Sequence, residues 1–329
     1  MAEAPKRSEF ERIAQYFAPL TQDFPGAFGL TDDAAVIAPS SGNELVVTTD
    51  TIIAGVHYIG TEAPGLIAAK LLRVNLSDIA AKGATPLAYT LNIALPVDLE
   101  DDWLAKFTEG LAADQAEFGI VLIGGDSVAT PGPVTLTLTA FGEVPVGKAL
   151  LRRNAKAGDS VFVTGQIGDG ALGLRAARGQ LPGISTADSA WLVDRYQRPR
   201  ARVSVGPGLL GYAHASADVS DGLVADLGHI TEASGLSARI QVDSVPLSDA
   251  AKRVLQVDPS LVQTVLTGGD DYELVFAAPS SVRQHLDALS RSTGVAITEI
   301  GRVDDGKGVT VMDPTGKPML LSRGGYAHG

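Results

Sequence analysis

No cysteine occurs in the 329 residues, which excludes disulfide frameworks, thiolate zinc sites and covalent thiol chemistry. No run of about 18 uncharged apolar residues is present, so no membrane-spanning helix is expected. The N-terminal stretch MAEAPKRSEFERIAQYF carries charges where a secretory leader would carry its apolar region. Ser8 and Glu11 have capping-box spacing, so a helix over 8–18 and a cytoplasmic location are expected. Basic residues are the minority, 26 Lys plus Arg against 38 Asp plus Glu, for a net charge of −12. Without a basic excess the chain lacks the footprint of a nucleic-acid binder. Histidines number only five and G-x-S-x-G is absent, so no nucleophile–base pair, serine elbow or zinc cluster is indicated.

What is present is ample apolar material, 45% of the chain, over a length that suggests two domains. In the first half, short strands are expected near 34–38 and 44–49, with a helix over 64–81 that is apolar on nearly every side. A strand at 86–96, a helix at 101–118 and strands at 119–123 and 134–144 follow. Residues 145–159 link the halves. The second half opens on a strand at 160–165, then has helices near 170–178, 188–196, 222–234, 247–265 and 281–293. Its further strands fall near 237–242, 272–277, 296–302 and 308–312. The class is α/β or α+β, with domains at 1–146 and 147–329.

Two glycine-rich loops imitate phosphate sites. Gly168-Asp169-Gly170-Ala171-Leu172-Gly173 fits G-x-G-x-x-G, but no second strand ending in an acid follows its helix. It reads as a strand-to-helix turn. Gly301 to Gly308 nearly fits the P-loop, but Gly308 stands where Ser or Thr must be. A strand follows instead of a helix N-terminus, so this reads as a hairpin turn.

The informative feature is a set of aspartates at expected strand ends and turns: Asp32-Asp33, Asp50, Asp126, Asp218, Asp221 and Asp270-Asp271. Singly, each is an ordinary turn residue. Asp78 differs because it lies inside the apolar helix, where a charge must be paired, protonated or metal-bound. Lys82, one turn on, is an available ion-pair partner, and Asn75 lies one turn back. Clustered carboxylates repel unless cations separate them. Magnesium takes carboxylates together with substrate phosphates, so the set points to metal-assisted phosphate chemistry.

The motifs TTDTIIAGVHY, NLSDIAAKGA, GGDS, RRNAKAGD, DVSDGLVADLGHI and GGDDYEL, in this order, resemble the thiamine-monophosphate kinase family of the aminoimidazole-ribotide synthetase superfamily. The resemblance runs from about Phe10 to Tyr326. It implies an N-terminal ATP- and magnesium-binding domain that pairs in a homodimer with a barrel-like core, and a C-terminal α/β domain. It implies direct in-line transfer of the ATP γ-phosphate to thiamine monophosphate. By motif position, Asp33, Thr48, Thr49, Asp50, Asp78, Asp126, Asp218 and Asp221 would bind several magnesium ions. Gly125, Asp126, Arg152 and Ser220 would contact ATP, with Arg152 stabilising charge. His57 and Asp270 would hold the thiamine moiety. The chain departs from the pattern at Thr31, where Gly usually precedes the Asp pair and Thr costs flexibility. It departs again at Asp270, in place of Glu, and at Arg323, in place of an aromatic substrate contact. The superfamily's selenophosphate and hydrogenase-maturation members depend on cysteines that this chain lacks. The remaining alternatives are an aminoimidazole-ribotide synthetase-like ligase and a non-catalytic magnesium–nucleotide-binding protein.

Overall fold

The computed structural model describes residues 8–22, 24–321 and 325. The chain divides into two compact units, one running to Asn75 and resuming over Pro86–Glu143, the other made of Leu76–Thr85 and the chain from Val144.

The first unit opens with a short helix α1 (Glu9–Arg12) that continues as a wider helical turn over Ile13–Phe17. Ser8 and Glu11 form the expected capping box, with Ser8 N–H donating to Glu11 Oε2 at 2.7 Å. Helix α2 (Pro64–Ala81) crosses from the first unit into the second, and α3 (Asp101–Phe118) completes the helices of the first. Gly65 of α2 lies against Gly110 of α3, where a Cβ would come within 2.6 Å of backbone. The sheet contains β1 (Asn43–Ile53), β2 (Thr85–Pro96), β3 (Val121–Thr130) and β4 (Thr135–Pro145), in the order β1-β4-β2-β3. Leu136, Leu138 and Ala140 of β4 are buried, and the alternating threonines lie on the other face. There Thr51 and Thr137 bond at 2.7 Å, and Thr139 donates to Thr49 at 3.0 Å.

Three expectations are corrected in this unit. Residues 34–38 form no strand, because Val36 is 64% exposed and its N–H is taken by the Gly26 carbonyl. The GGDS segment is no strand-end loop. It lies within β3, where Asp126 sits opposite Asn92 of β2, past a bulge at Tyr89/Thr90. Asp50 likewise lies within β1.

The second unit is a six-stranded sheet in the order β10-β7-β9-β5-β8-β6. Its strands are β5 (Ser160–Thr164), β6 (Ala215–Asp218), β7 (Ser237–Gln241), β8 (Leu274–Ala278), β9 (Ile297–Asp304) and β10 (Gly308–Met312). Its helices are α4 (Asp169–Ala177), α5 (Thr186–Gln197), α6 (Leu223–Ser234), α7 (Asp249–Val257), α8 (Val262–Thr267) and α9 (Arg283–Thr293). Both sheet faces are covered, which is why SVFVT and LVFAA are apolar without a polar alternate. Val161, Val163, Val275 and Ala277 pack with α4–α8 on one face. Phe162, Leu274 and Phe276 pack with Leu286 of α9 and the end of α2 on the other. Phe162 and Phe276 are direct cross-strand partners with stacked rings 5.4 Å apart. Burying such a side chain contributes roughly 1.5–3 kcal/mol.

Strand β6 had no clear sequence signal. ASAD is four small or polar residues, held as a strand by pairing with β8. The turn between β9 and β10 is not a hairpin: the two strands flank β7, antiparallel and parallel to it. Ser237 Oγ, at the start of β7, closes that crossing by donating to the carbonyls of Asp304 and Asp305. The turn leads directly into β10, not into a helix N-terminus, in keeping with its rejection as a P-loop.

Candidate active site

Within the second unit a cavity of about 510 Å³ is lined by Asp78 and Lys82 at the end of α2, by Arg152 and Arg153, and by Asp218 at the end of β6. Residues 67–81 of α2 are buried except Asp78, which is half-buried. Asp218 is 3% exposed. Two carboxylates thus share a cavity with three basic side chains. Burial lowers the pKa of the Lys82 ammonium, and Arg152 lowers it further, while Asp78 and Asp218 pull it up. In the sequence Lys82 stands out only as an ion-pair partner for Asp78, one turn back. Its place in the cavity comes from the last turn of α2, where residues four apart share a face.

Beside β6, two motif loops hold each other. Asp270 N–H donates to the Ser220 carbonyl at 3.0 Å, and Tyr272 N–H to the Val219 carbonyl at 2.8 Å. A Cβ on Gly269 would sit 2.1 Å from the Ser220 carbonyl oxygen, so only glycine permits this approach. Asp270 and Tyr272 adopt φ of 71° and 52°, a conformation L-residues rarely hold. The alternation turns Asp271 and Glu273 inward, to 2% and 0% exposure, and leaves Asp270 half-buried. Asp271 accepts the N–H groups of Gly168 (2.6 Å) and Gly170 (2.9 Å). The glycine-rich turn is therefore a strand-to-helix turn whose amides are taken by a side chain of the same chain. Burial pushes the Asp271 carboxyl up to about 8, against the pull of those two amides.

Glu273 accepts from Thr164 at 2.7 Å and Arg195 at 3.0 Å, and is paired with Arg202. Burial works to raise its pKa, but the two arginines and Thr164 outweigh it and hold it below the ordinary value. Stability from a depressed carboxyl is present above its unfolded pKa and lost as pH falls through the folded value. Glu273→Ala leaves two guanidinium groups short of a partner, and should lower unfolding free energy by about 3–5 kcal/mol at neutral pH. Urea titration measures this, and the difference from the parent should shrink under acid. An unchanged midpoint would show that the cluster contributes nothing.

Asp221 precedes α6. Asp226, in the first turns of that helix, accepts the Asp221 and Gly222 N–H groups through Oδ2 at 2.9 and 3.1 Å. Burial raises the Asp226 carboxyl to about 7, Asp221 adding to the effect.

In the first unit a cavity of about 420 Å³ has apolar walls, including Phe17, Leu30 and Ile93, and carries Asp32, Asp33, Gly125, Asp126 and Ser127. Asp32 Oδ1 accepts the Asp33 N–H at 2.8 Å, and Asp126 Oδ1 that of Ser127 at 2.9 Å. A Cβ on Gly125 would lie 1.9 Å from the Leu91 carbonyl oxygen. Thr31 has φ −108°, and the left-handed conformations fall on Phe28, Gly29 and Leu30 instead. Thr31 itself therefore holds an ordinary backbone conformation.

Thr48, Thr49 and Asp50 lie on β1, across the sheet from Asp126 on β3. Strand alternation puts Thr48 and Asp50 on one face and Thr49 on the other, where its hydroxyl donates to the Leu138 carbonyl. His57 is half-buried in the turn after β1, and its Nδ1 accepts the Ile53 N–H at 3.1 Å. The neutral ring then carries its proton on Nε2. Arg323 lies outside the described residues.

Residues 31–144 match the family model described as AIR synthase related protein, N-terminal domain, and residues 156–314 match the corresponding C-terminal domain. These two domains together define the class. A protein from Caulobacter vibrioides named thiamine-monophosphate kinase is 42% identical over 98% of this chain and 91% of its own. The solved thiamine-monophosphate kinase of Stenotrophomonas maltophilia is 40% identical, with a TM-score of 0.83 over 91% of this chain and 95% of its own. A structure described as AaThiL complexed with AMPPCP and TMP is 30% identical, with a TM-score of 0.76 over 89% of this chain and 94% of its own. The chain belongs to the thiamine-monophosphate kinase family, within the AIR synthase related class.

Proposed function

We propose that this chain transfers the γ-phosphate of ATP to thiamine monophosphate, giving thiamine diphosphate and ADP. One observation carries the reading: a cavity that joins Asp78 and Asp218 to Lys82, Arg152 and Arg153, in a chain of this family. An oxygen of the acceptor phosphate bonds to the γ-phosphorus. The bond to the β–γ bridging oxygen breaks, and that oxygen leaves on ADP. No covalent enzyme intermediate is needed, so positioning and charge neutralisation dominate.

The donors suit magnesium, because Asp33, Thr48, Thr49, Asp50, Asp78, Asp126, Asp218 and Asp221 offer oxygen alone. Thr49 would serve through its backbone carbonyl, since its hydroxyl points to the other face of β1 from Asp50. Bound magnesium would neutralise phosphate charge and align the phosphate oxygens. Arg152 and Lys82 supply fixed positive charge to the phosphates. Gly125, Asp126 and Ser220 complete the ATP contacts. His57 would donate its Nε2–H to the substrate, and Asp270 would face the cationic thiazolium, with Arg323 the third substrate contact.

The domain reading assigns 1–146 to ATP, magnesium and dimerisation and 147–329 to the C-terminal α/β domain. A homodimer belongs to the same proposal. Strands β1 and β3 are the two edges of the first sheet. The strands that carry Asp50 and Asp126 are three spacings apart, about 14 Å across an open sheet. Two-fold pairing of β1 with β3 of a second copy would close the strands into a barrel and bring the two positions together. No helix among the described residues is long and apolar enough to cross a membrane, and a cytoplasmic location fits that.

The test is direct. Purified protein with magnesium, ATP and thiamine monophosphate should form ADP and thiamine diphosphate in equal amounts. Absence of thiamine diphosphate sinks the kinase reading.

A further inference from the structure

The start of α6 carries a group of ligating side chains that the phosphate chemistry above does not use in full. Asp226 and His229 are three residues apart and share one helix face. One carboxylate oxygen of Asp221, one of Asp226 and one imidazole nitrogen of His229 all lie within 4.8 Å of one another. Asp226 is 1% exposed. Its Oδ2 is committed to the Asp221 and Gly222 N–H groups. Its Oδ1 is buried and has no hydrogen-bond partner among the described residues. A buried oxygen without a donor is costly, and a second carboxylate beside it adds repulsion. A cation held by the three groups offsets the repulsion between the two carboxylates. Asp221 is half-buried and His229 exposed, so an ion can enter from the histidine side.

We propose that Asp221, Asp226 and His229 form a divalent-cation site of mixed oxygen and nitrogen donors that takes Mn²⁺, Co²⁺ or Zn²⁺ in preference to Mg²⁺. The proposal extends the metal reading at Asp221 and rests on that reading for this residue alone. Magnesium is hard and holds its waters, so it gains little from an imidazole. Manganese, cobalt and zinc accept imidazole nitrogen readily, and affinity for a mixed site rises from manganese through cobalt to a maximum at copper, with zinc below copper. The Asp226 bonds to backbone hold the Asp221 loop against the helix, so two of the three ligands are set before an ion arrives. The site shares Asp221 with the oxygen set proposed for the phosphates and differs from it by the imidazole of His229.

The experiment uses the whole protein without nucleotide or thiamine monophosphate. Bound Mn²⁺ is counted by electron paramagnetic resonance, and electron spin-echo modulation detects coupling to an imidazole ¹⁴N. The parent protein should show that coupling, Zn²⁺ should displace the ion, and equal Mg²⁺ should not. His229→Ala should abolish the coupling and weaken one Mn²⁺ site about tenfold or more. The residue is exposed, so circular dichroism should show an unchanged fold. No ¹⁴N coupling in the parent, or coupling that survives in His229→Ala and so arises from another imidazole, overturns the proposal. The kinase assay with magnesium is separate. Thiamine diphosphate formed without ¹⁴N coupling sinks this site only, and coupling without thiamine diphosphate sinks the kinase reading only.

Discussion

Asp78→Asn should lower turnover by about a hundred- to a thousandfold, the usual loss when one pre-positioned charge is removed from a site that stabilises a transition state. Asn keeps the volume and most hydrogen-bonding capacity of Asp, so α2 should stay packed. The change removes only the charge, at the one half-buried position in a run buried from Ile67 to Ala81. The ammonium of Lys82 and the guanidinium groups of Arg152 and Arg153 would then face Asp218 alone across the cavity. Two readouts separate chemistry from packing. The magnesium concentration for half-maximal rate should rise, and the melting temperature should hold within a few degrees. Near-normal turnover with unchanged magnesium dependence would make Asp78 a packing residue and remove it from the metal set.

The second large effect follows from opposite sheet edges. Asp50→Asn and Asp126→Asn should each be nearly inactive alone. If each site draws Asp50 from one copy and Asp126 from the other, a mixed dimer has one site with both changes and one with neither. Random reassociation makes half the dimers mixed, each with half its sites intact. Mixing the two inactive proteins should therefore recover about a quarter of the parent activity, given free exchange of edge strands between copies. Two variants that stay inactive after verified exchange would show that both carboxylates serve a site within one copy, and the β1–β3 pairing would fall.

Legibility of the fold tracked the strength of local signals. Helices α2 and α3 were readable to the residue, because one is apolar all round and the other begins at Asp101-Asp102 and ends at Gly119 with φ 67°. Strands β5 and β8 were readable because burial on both faces leaves no polar alternate. Segment 34–38 misled because only Ala35 and Ile37 pack inward, from a loop that leaves Val36 exposed, and β6 was missed because its strand character comes from β8. In the site regions, the meeting of Asp78 with Asp218 in one cavity joins residues far apart in sequence, and only motif order hinted at it. Lys82 and His229 carried no signal of their own, since a lysine after an apolar helix and a histidine on an exposed face are ordinary. Their surroundings single them out, and those arise only on folding.

The crossing of β7 by the chain between β9 and β10 bears on how the second unit is assembled. Strand β7 ends at Gln241, yet both its neighbours in the sheet come from Ile297–Met312. During synthesis β7 must wait, with two unpaired edges, for more than fifty residues to emerge. A chain stopped after Asp304 would lose β10 and leave β7 as an open rim able to recruit another chain. Strand β10 thus covers β7 and takes its place as the edge of the sheet, and nonsense changes there should appear as aggregation together with lost catalysis.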